Sequence, residues 1–263
     1  MKKQFNIAGI DVFVEGEGKE TIVMVHGWPD TYRIWAKQVA FFKKNYRCVY
    51  FTMPGFDVSK PRRAYSLVET TEILREIVDS VSPEQKVILM LHDWGCVFGY
   101  QYYMQYQNRV AKIVGIDIGD ARSKDFMQSL SVKVKALVFS YQMTLAGAWK
   151  LGGAAGDKIA RATAKFLGTH ADPQHISSDM GYPYYIQWFG AYGSYKKMKN
   201  IKPECPMFFA YALKKPFMFH SQKWAEGLAA QPQNQVAAYN SGHWVQVEAA
   251  EQFNQAVGAW LAS

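Results

Sequence analysis

Short, nearly continuous apolar runs alternate with longer amphipathic stretches along the first half of the chain. Residues 21–25 (Thr-Ile-Val-Met-Val) run into His26-Gly27, residues 46–52 lead to Pro54-Gly55, residues 86–91 lead into His92-Asp93, and residues 110–118 form a further run. Runs of this length without polar alternation predict strands of a parallel sheet covered on both faces. Between them, residues 32–43, 66–81 and 96–107 read as helices; the second carries Leu67, Ile73, Leu74, Ile77 and Val78 at helical spacing. Ahead of these, residues 5–10 and 11–15 predict two short strands in a hairpin around Ala8-Gly9. Repeated strand–helix units of this kind predict an α/β fold, a mostly parallel, doubly wound sheet with helices on both faces.

The rhythm breaks after Asp120. From residue 124 to about residue 199 no strand is convincing; 131–139, 143–151 and 157–167 read as helices, interrupted at Gly152-Gly153. Strand character returns at 207–212 and 235–239, and a last helix is predicted over 249–261. The expected organisation is therefore a core of residues 1–123 and 201–263, with a helical block of residues 124–200 inserted into it.

Composition narrows the class. The chain has 263 residues, 49% hydrophobic and 20% charged, which suits one globular domain with an insertion and excludes a disordered chain. No apolar run reaches the roughly 18 residues of a membrane span. The basic start Met1-Lys2-Lys3-Gln4 is followed by no apolar segment, so no signal peptide is expected. Three cysteines (Cys48, Cys96, Cys205) without CxxC spacing argue against a disulfide framework and a zinc site, and fit a reducing cytoplasm. The net charge of +8 is scattered in short groups, and no nucleic-acid motif accompanies it. Aromatic residues make up 15% of the chain, a load suited to an apolar pocket with a few polar handles.

Three short stretches carry chemistry. In Leu89-Met90-Leu91-His92-Asp93-Trp94-Gly95-Cys96 a strand meets a helix through a tight turn, with Asp93 at the apex and small residues beyond it. This is the nucleophile-elbow arrangement, usually G-x-S-x-G, with Leu91 at the first glycine position and Asp in place of Ser. A carboxylate nucleophile attacks carbon electrophiles and forms an ester, which excludes a serine-esterase mechanism; the plainer alternative is that Asp93 caps the following helix. The loop His26-Gly27-Trp28-Pro29-Asp30 can aim the Trp28 N–H, together with that of Trp94, at one oxygen. Ser241-Gly242-His243-Trp244 follows a strand and presents an imidazole from a tight turn.

Together HGWPD, LHDWG and SGHW resemble the α/β-hydrolase superfamily, in its epoxide hydrolase and haloalkane dehalogenase branch. The resemblance implies an α/β-hydrolase fold with an inserted helical cap. It makes Asp93 the nucleophile, His243 the base that activates water, and the Trp28 and Trp94 N–H groups the oxyanion donors. Many relatives place the third triad member after the seventh strand, in a stretch like YGxKDP. Here that stretch is Tyr211-Ala212-Leu213-Lys214-Lys215-Pro216, with Lys215 where the acid belongs. Lys215 is expected to extend to solvent. Other relatives carry the acid after strand six, which names Asp117, with Asp120 as the alternative and a solvated loop residue as its plainer reading.

Epoxide hydrolases use two cap tyrosines to protonate the leaving oxygen. Phe139-Ser140-Tyr141-Gln142 matches one of their stretches (F-x-Y-Q), and Pro183-Tyr184-Tyr185-Ile186 is similar to the other, so the resemblance names Tyr141 and Tyr185, with Tyr184 and then Tyr182 as alternatives to Tyr185. Core aromatic residues are the alternative reading. Haloalkane dehalogenases share Asp93, His243, Asp117 and Trp94, but add an Asn after HG, where Trp28 stands here, or a cap Trp, for which Trp149 and Trp188 are available. Haloacetate dehalogenases would carry Arg at Trp94. Thr52 and Asp57 also depart from the family's usual Asp and Gly. The expected substrate is a small apolar molecule, most simply an epoxide opened to a vicinal diol, with water as co-substrate and no metal or organic cofactor. A haloalkane dehalogenase is the runner-up. The missing acid at Lys215 also leaves room for a catalytically silent relative that binds an apolar ligand.

Overall fold

The computed structural model describes residues 2–263. In chain order, β1 (Lys3–Ile7) and β2 (Ile10–Glu15) form the hairpin, followed by β3 (Thr21–Val25), α1 (Ala36–Phe42), β4 (Arg47–Phe51), α2 (Leu67–Val81), β5 (Val87–His92), α3 (Trp94–Gln105) and β6 (Val110–Ile116). Then come α4 (Lys124–Ser129), α5 (Val132–Leu151), α6 (Gly153–Phe166) and α7 (Tyr182–Phe189), with no strand among them. The core resumes with β7 (Met207–Ala212), α8 (Gln222–Ala229), β8 (Gln235–Tyr239), α9 (Val245–Glu248) and α10 (Ala250–Ala262).

The strands make one eight-stranded sheet in the order β1-β2-β4-β3-β5-β6-β7-β8. Pairing is antiparallel at β1/β2 and β2/β4 and parallel from β4 onward. Alternate residues of the central strands feed two separate cores. Val23, Val25, Leu89 and Leu91 pack with α2, α3 and the inserted helices, while Ile22, Met24, Ile88 and Met90 pack with α1 and α10. This explains the unbroken apolar runs: each strand buries both faces, at roughly 1.5–3 kcal/mol for each large aliphatic side chain. Ser66 and Glu69 cap α2 reciprocally, which fixes where that helix begins.

Three differences from the sequence reading bear on the site. Residues 131–139 and 143–151 belong to one helix, α5, because Ser140-Tyr141-Gln142 contains neither Gly nor Pro and the backbone continues through it. The aromatic stretch beginning at Tyr182 is a helix, α7, with Pro183 in its first turn, where a missing N–H costs nothing. The chain after β7 forms α8, started by Ser221, whose hydroxyl accepts from Trp224 N–H. The sequence reading assigned no helix there.

Candidate active site

At the junction of β5 and α3 the backbone makes a sharp turn, and Asp93 sits at its apex with φ 53°. Such a conformation is costly for a residue with a Cβ and persists where its surroundings enforce it. The surroundings are close-packed. A side chain on Gly95 would place a Cβ 2.0 Å from the Val25 carbonyl oxygen, so α3 crosses β3 only with glycine at that position. Leu91, at the usual first glycine of the elbow, is accommodated from the other side. Gly99 of α3 faces it, and a Cβ on Gly99 would lie 2.5 Å from the Leu91 side chain. Asp93 makes no capping bond with its own side chain, so its carboxylate is left for other contacts.

Those contacts are the ones the motifs suggested. The Trp28 N–H donates to Asp93 Oδ1 at 2.6 Å, and the Trp94 N–H also faces the carboxylate. His243, in the turn after β8, places Nε2 3.4 Å from Asp93 Oδ2. On its other side, His243 Nδ1 donates to Asp117 Oδ2 at 2.5 Å. Asp117 is fully buried immediately after β6, with φ 68°, and its Oδ1 accepts from the Ala212 N–H at 2.9 Å. Thus β3, β5, β6 and β8 converge at their carboxyl ends on one cluster, the edge where open α/β sheets assemble their sites.

Charge follows from this packing. Burial raises the Asp93 carboxyl, but the hydrogen bond and charge of His243 outweigh it and hold Asp93 below the usual carboxylate range. Burial lowers the His243 imidazole, yet the hydrogen bonds and charges of Asp117 and Asp93 overcome it and raise His243 to about 9. His92 lies against His243, with ring centroids 4.6 Å apart, and donates Nε2–H to the His243 carbonyl at 3.1 Å. Burial, and then the neighbouring His243, push His92 down to about 3, so it stays neutral.

Lys215 does not extend to solvent. Its side chain is 6% exposed, and Nζ lies 2.5 Å from Asp117 Oδ1. The reason is the turn after β7: Leu213 N–H and Lys214 N–H bond to Tyr239 and Ser241, which brings the next residue beneath the buried carboxylate. Asp120 is not a solvated loop residue either. It is 4% exposed, and its carboxylate accepts from Ser221 N–H at 2.7 Å and from the hydroxyls of Ser221 and Ser123. It anchors the start of α8 and does not touch His243.

A cavity of about 590 Å³ opens above Asp93, walled by α4, α5, α7 and the loop after β7. Trp94, Val97, Ile118, Phe126 and Phe219 supply much of its apolar wall. Tyr141 and Tyr184 both line it; burial raises both phenols, and the Asp93 charge adds to the rise. Tyr184 packs edge-on to Trp94, with ring centroids 5.2 Å apart. Tyr185, the residue named from the sequence, lies outside the cavity. One position along a helix is about 100° of rotation, and that turns its ring onto Trp149 (4.5 Å) and Phe189 (4.9 Å). Trp149 faces Tyr185 and Arg62 rather than the cavity, whereas Trp188 lies at the cavity's rim.

Gln142 sets the direction of the Tyr141 hydroxyl. The Trp188 Nε1–H can only donate, and it reaches Gln142 Oε1 at 2.9 Å, as does Gln187 Nε2. The Gln142 amide nitrogen must then face Tyr141, and it donates to the phenol oxygen at 3.2 Å. The Tyr141 proton is left free to donate into the cavity. Tyr184 stood as the alternative to Tyr185 in the sequence, whereas Lys215 and Gln142 are the site residues that sequence reasoning missed. For Gln142 the signal was present in the F-x-Y-Q match.

Among the described residues no group of three or more His, Cys, Asp or Glu could hold a metal ion, and no helix is long and apolar enough to cross a membrane.

With the geometry in view, the sequence pattern of the alpha/beta hydrolase fold matches residues 20–250, and the chain belongs to that family. Among its relatives, epoxide hydrolase 1 of Caenorhabditis elegans is 28% identical over 132 residues, covering 48% of this chain and 32% of that protein. A cis-3-alkyl-4-alkyloxetan-2-one decarboxylase of Shewanella oneidensis is 30% identical over 109 residues, covering 40% of this chain and 34% of that protein. The chain thus spans about a third of the length of these curated relatives. In three dimensions it is similar to an epoxide hydrolase of Bacillus megaterium solved with an inhibitor, with a TM-score of 0.73 and 18% identity, covering 99% of this chain and 100% of that one.

Proposed function

We propose that this chain is an epoxide hydrolase that works through a covalent ester on Asp93. The observation that carries the reading is the opposition of one ionised elbow carboxylate and two phenols, Tyr141 and Tyr184, across an otherwise largely apolar cavity. Asp93 Oδ1 is held by the Trp28 N–H, so Oδ2 is the oxygen left to attack. In the first step Oδ2 bonds to an epoxide carbon, the carbon–oxygen bond of the ring breaks, and that oxygen takes a proton from a phenol. In the second, His243 removes a proton from water as it adds to the ester carbonyl, whose oxygen gathers charge facing the Trp28 and Trp94 N–H groups. Collapse releases the diol, whose leaving oxygen takes the proton held by His243, and the proton on the regenerated Asp93 carboxyl returns to the phenolate, restoring both carboxylate and phenol. Asp117 holds the imidazole tautomer throughout.

A haloalkane dehalogenase would share Asp93, His243, Asp117 and Trp94, but it has no use for two phenols lining the cavity above the nucleophile, and Trp149 is turned away from the cavity. The silent-relative reading loses its motive, because Asp117 stands in for the acid absent at Lys215. Cys48 and Cys96 are buried free thiols, which supports a reducing, cytoplasmic setting. The deciding experiment is a parallel screen of apolar epoxides and haloalkanes, scored for diol and for halide release. Diol from epoxides with no halide supports the proposal; halide release alone moves the assignment to the dehalogenase.

A further inference from the structure

Lys215 is a charged group beside Asp117 that the two-step scheme leaves without a task. Its ammonium is buried, 2.5 Å from the Asp117 oxygen that does not bind His243, with the Phe219 ring 4.9 Å away. Burying a lysine has a cost, and among the described residues its ion-pair partner is the triad acid. Asp117 therefore sits between two cationic groups, Lys215 on Oδ1 and His243 on Oδ2.

The groups around His243 set the consequence. From the β5–α3 turn come Asp93 and His92; from the end of β6, Asp117; from the turn after β7, Lys215, with His220 beside it. Asp30 lies behind Trp244, bonded to its Nε1, and His170 and Glu248 lie beyond Trp244 and Gly242. Tyr141 and Tyr184 face Asp93 from the cap. Before reaction, two carboxylates balance the ammonium and a protonated His243. Once Asp93 is esterified its charge is gone. Asp117 is then the one carboxylate bonded to the imidazole, and Lys215 already neutralises it.

We infer that Lys215 is a positioning residue that cancels the charge of Asp117 in the ester state, so that His243 releases its proton to solvent water and becomes the base for hydrolysis. The inference rests on the covalent-ester reading, and its test is arranged to fail separately. Asp93→Ala removes the carboxylate charge, as esterification does, and needs no substrate. In that background the His243 titration is followed by NMR of its labelled imidazole, with Lys215 intact, Lys215→Gln or Lys215→Arg. Glutamine keeps a donor to Asp117 without the charge, so a loss of packing is not confused with a loss of charge. Lys215→Gln should raise the His243 midpoint by about one pH unit or more, the usual effect of removing a nearby cation, and Lys215→Arg should leave it in place. An unchanged or lowered midpoint with glutamine, or an equal rise with arginine, overturns the inference.

In the full protein, Lys215→Gln with an epoxide should accumulate the ester at neutral pH and regain the parental rate about one unit higher. Slowing by the same factor at every pH would mean that Lys215 only holds the fold, and would overturn the inference. A shifted midpoint in the protein lacking Asp93, with no ester ever found on the parental protein, would instead retire the covalent reading.

Discussion

Gly27 stands where a side chain would collide with Asp93: a Cβ on it would lie 2.2 Å from Asp93 Oδ1 and 2.4 Å from the Trp94 nitrogen. The bare backbone at Gly27 is what lets the Trp28 N–H and the carboxylate meet at 2.6 Å. Gly27→Ala should therefore fold yet displace Asp93 from its donors. Losing such a donor commonly costs about 10²–10³-fold in rate, and a fall of that size in kcat is expected. Parental kcat in this variant would show that the close approach has no bearing on catalysis.

The cap tyrosines give a sharper contrast. Tyr141→Phe together with Tyr184→Phe removes both cavity phenols with little change in volume. Ring opening should slow by about 10²–10⁴-fold, the usual value of general-acid assistance. Tyr185→Phe, which alters a ring packed against Trp149 outside the cavity, should open epoxides at the parental rate. Pre-steady-state rates of ester formation measure both. The reverse pattern would return the role to Tyr185.

This pair also shows where the sequence stops being informative. β3 and β5 were legible because burial on both faces leaves their runs almost wholly apolar, and Asp93 and His243 because each sits in a local turn with a glycine within two residues. Asp117 came from the resemblance, some relatives carrying the acid after strand six, and from the need of a carboxylate at the end of a buried strand for a partner. The choice between Tyr184 and Tyr185 depends on the rotational phase of α7, which packing against α5 sets and spacing does not. Lys215 failed for a related reason. Residue type suggested solvent, whereas the backbone bonds of Leu213 and Lys214 to the end of β8 turn it inward.

The two acids after β6 should separate by function. Asp117→Asn removes the charge that stabilises the imidazolium of His243, and deacylation should slow by up to about 10⁴-fold while ester formation changes far less. Asp120→Asn loses an acceptor for Ser221 and Ser123 and should cost about 1–3 kcal/mol of stability, with little effect on deacylation. Chemical denaturation and single-turnover kinetics on both variants test this. A stalled ester in Asp120→Asn alone would move the triad acid by three positions.

Acid should destabilise the fold through His26. Its ring is fully buried, with Nδ1 2.9 Å from the Gly27 carbonyl oxygen and Nε2 accepting from the Met53 N–H at 2.8 Å, and burial holds it down to about 4. The native state thus binds fewer protons than the unfolded chain below the unperturbed value of 6.5. Its stabilisation is complete above that value and is lost as pH falls towards 4, by up to about 3 kcal/mol. His92 acts in the same sense, whereas buried Asp30, raised to about 7, gains stability over the same window and offsets part of the loss. Melting temperature should fall between pH 6.5 and 4, and His26→Phe should lower it at neutral pH while flattening that fall. An unchanged slope in the variant would contradict the assignment.

The central claim is that Asp93 itself delivers the oxygen. A single turnover with protein in excess, run in ¹⁸O-labelled water on an epoxide shown to be a substrate, tests it most directly. Attack by Asp93 Oδ2 predicts a first-turnover diol with no label and one labelled oxygen left in the peptide containing Asp93. Label in the first diol, with none in that peptide, would mean that water attacks the substrate directly, and the covalent scheme would be wrong.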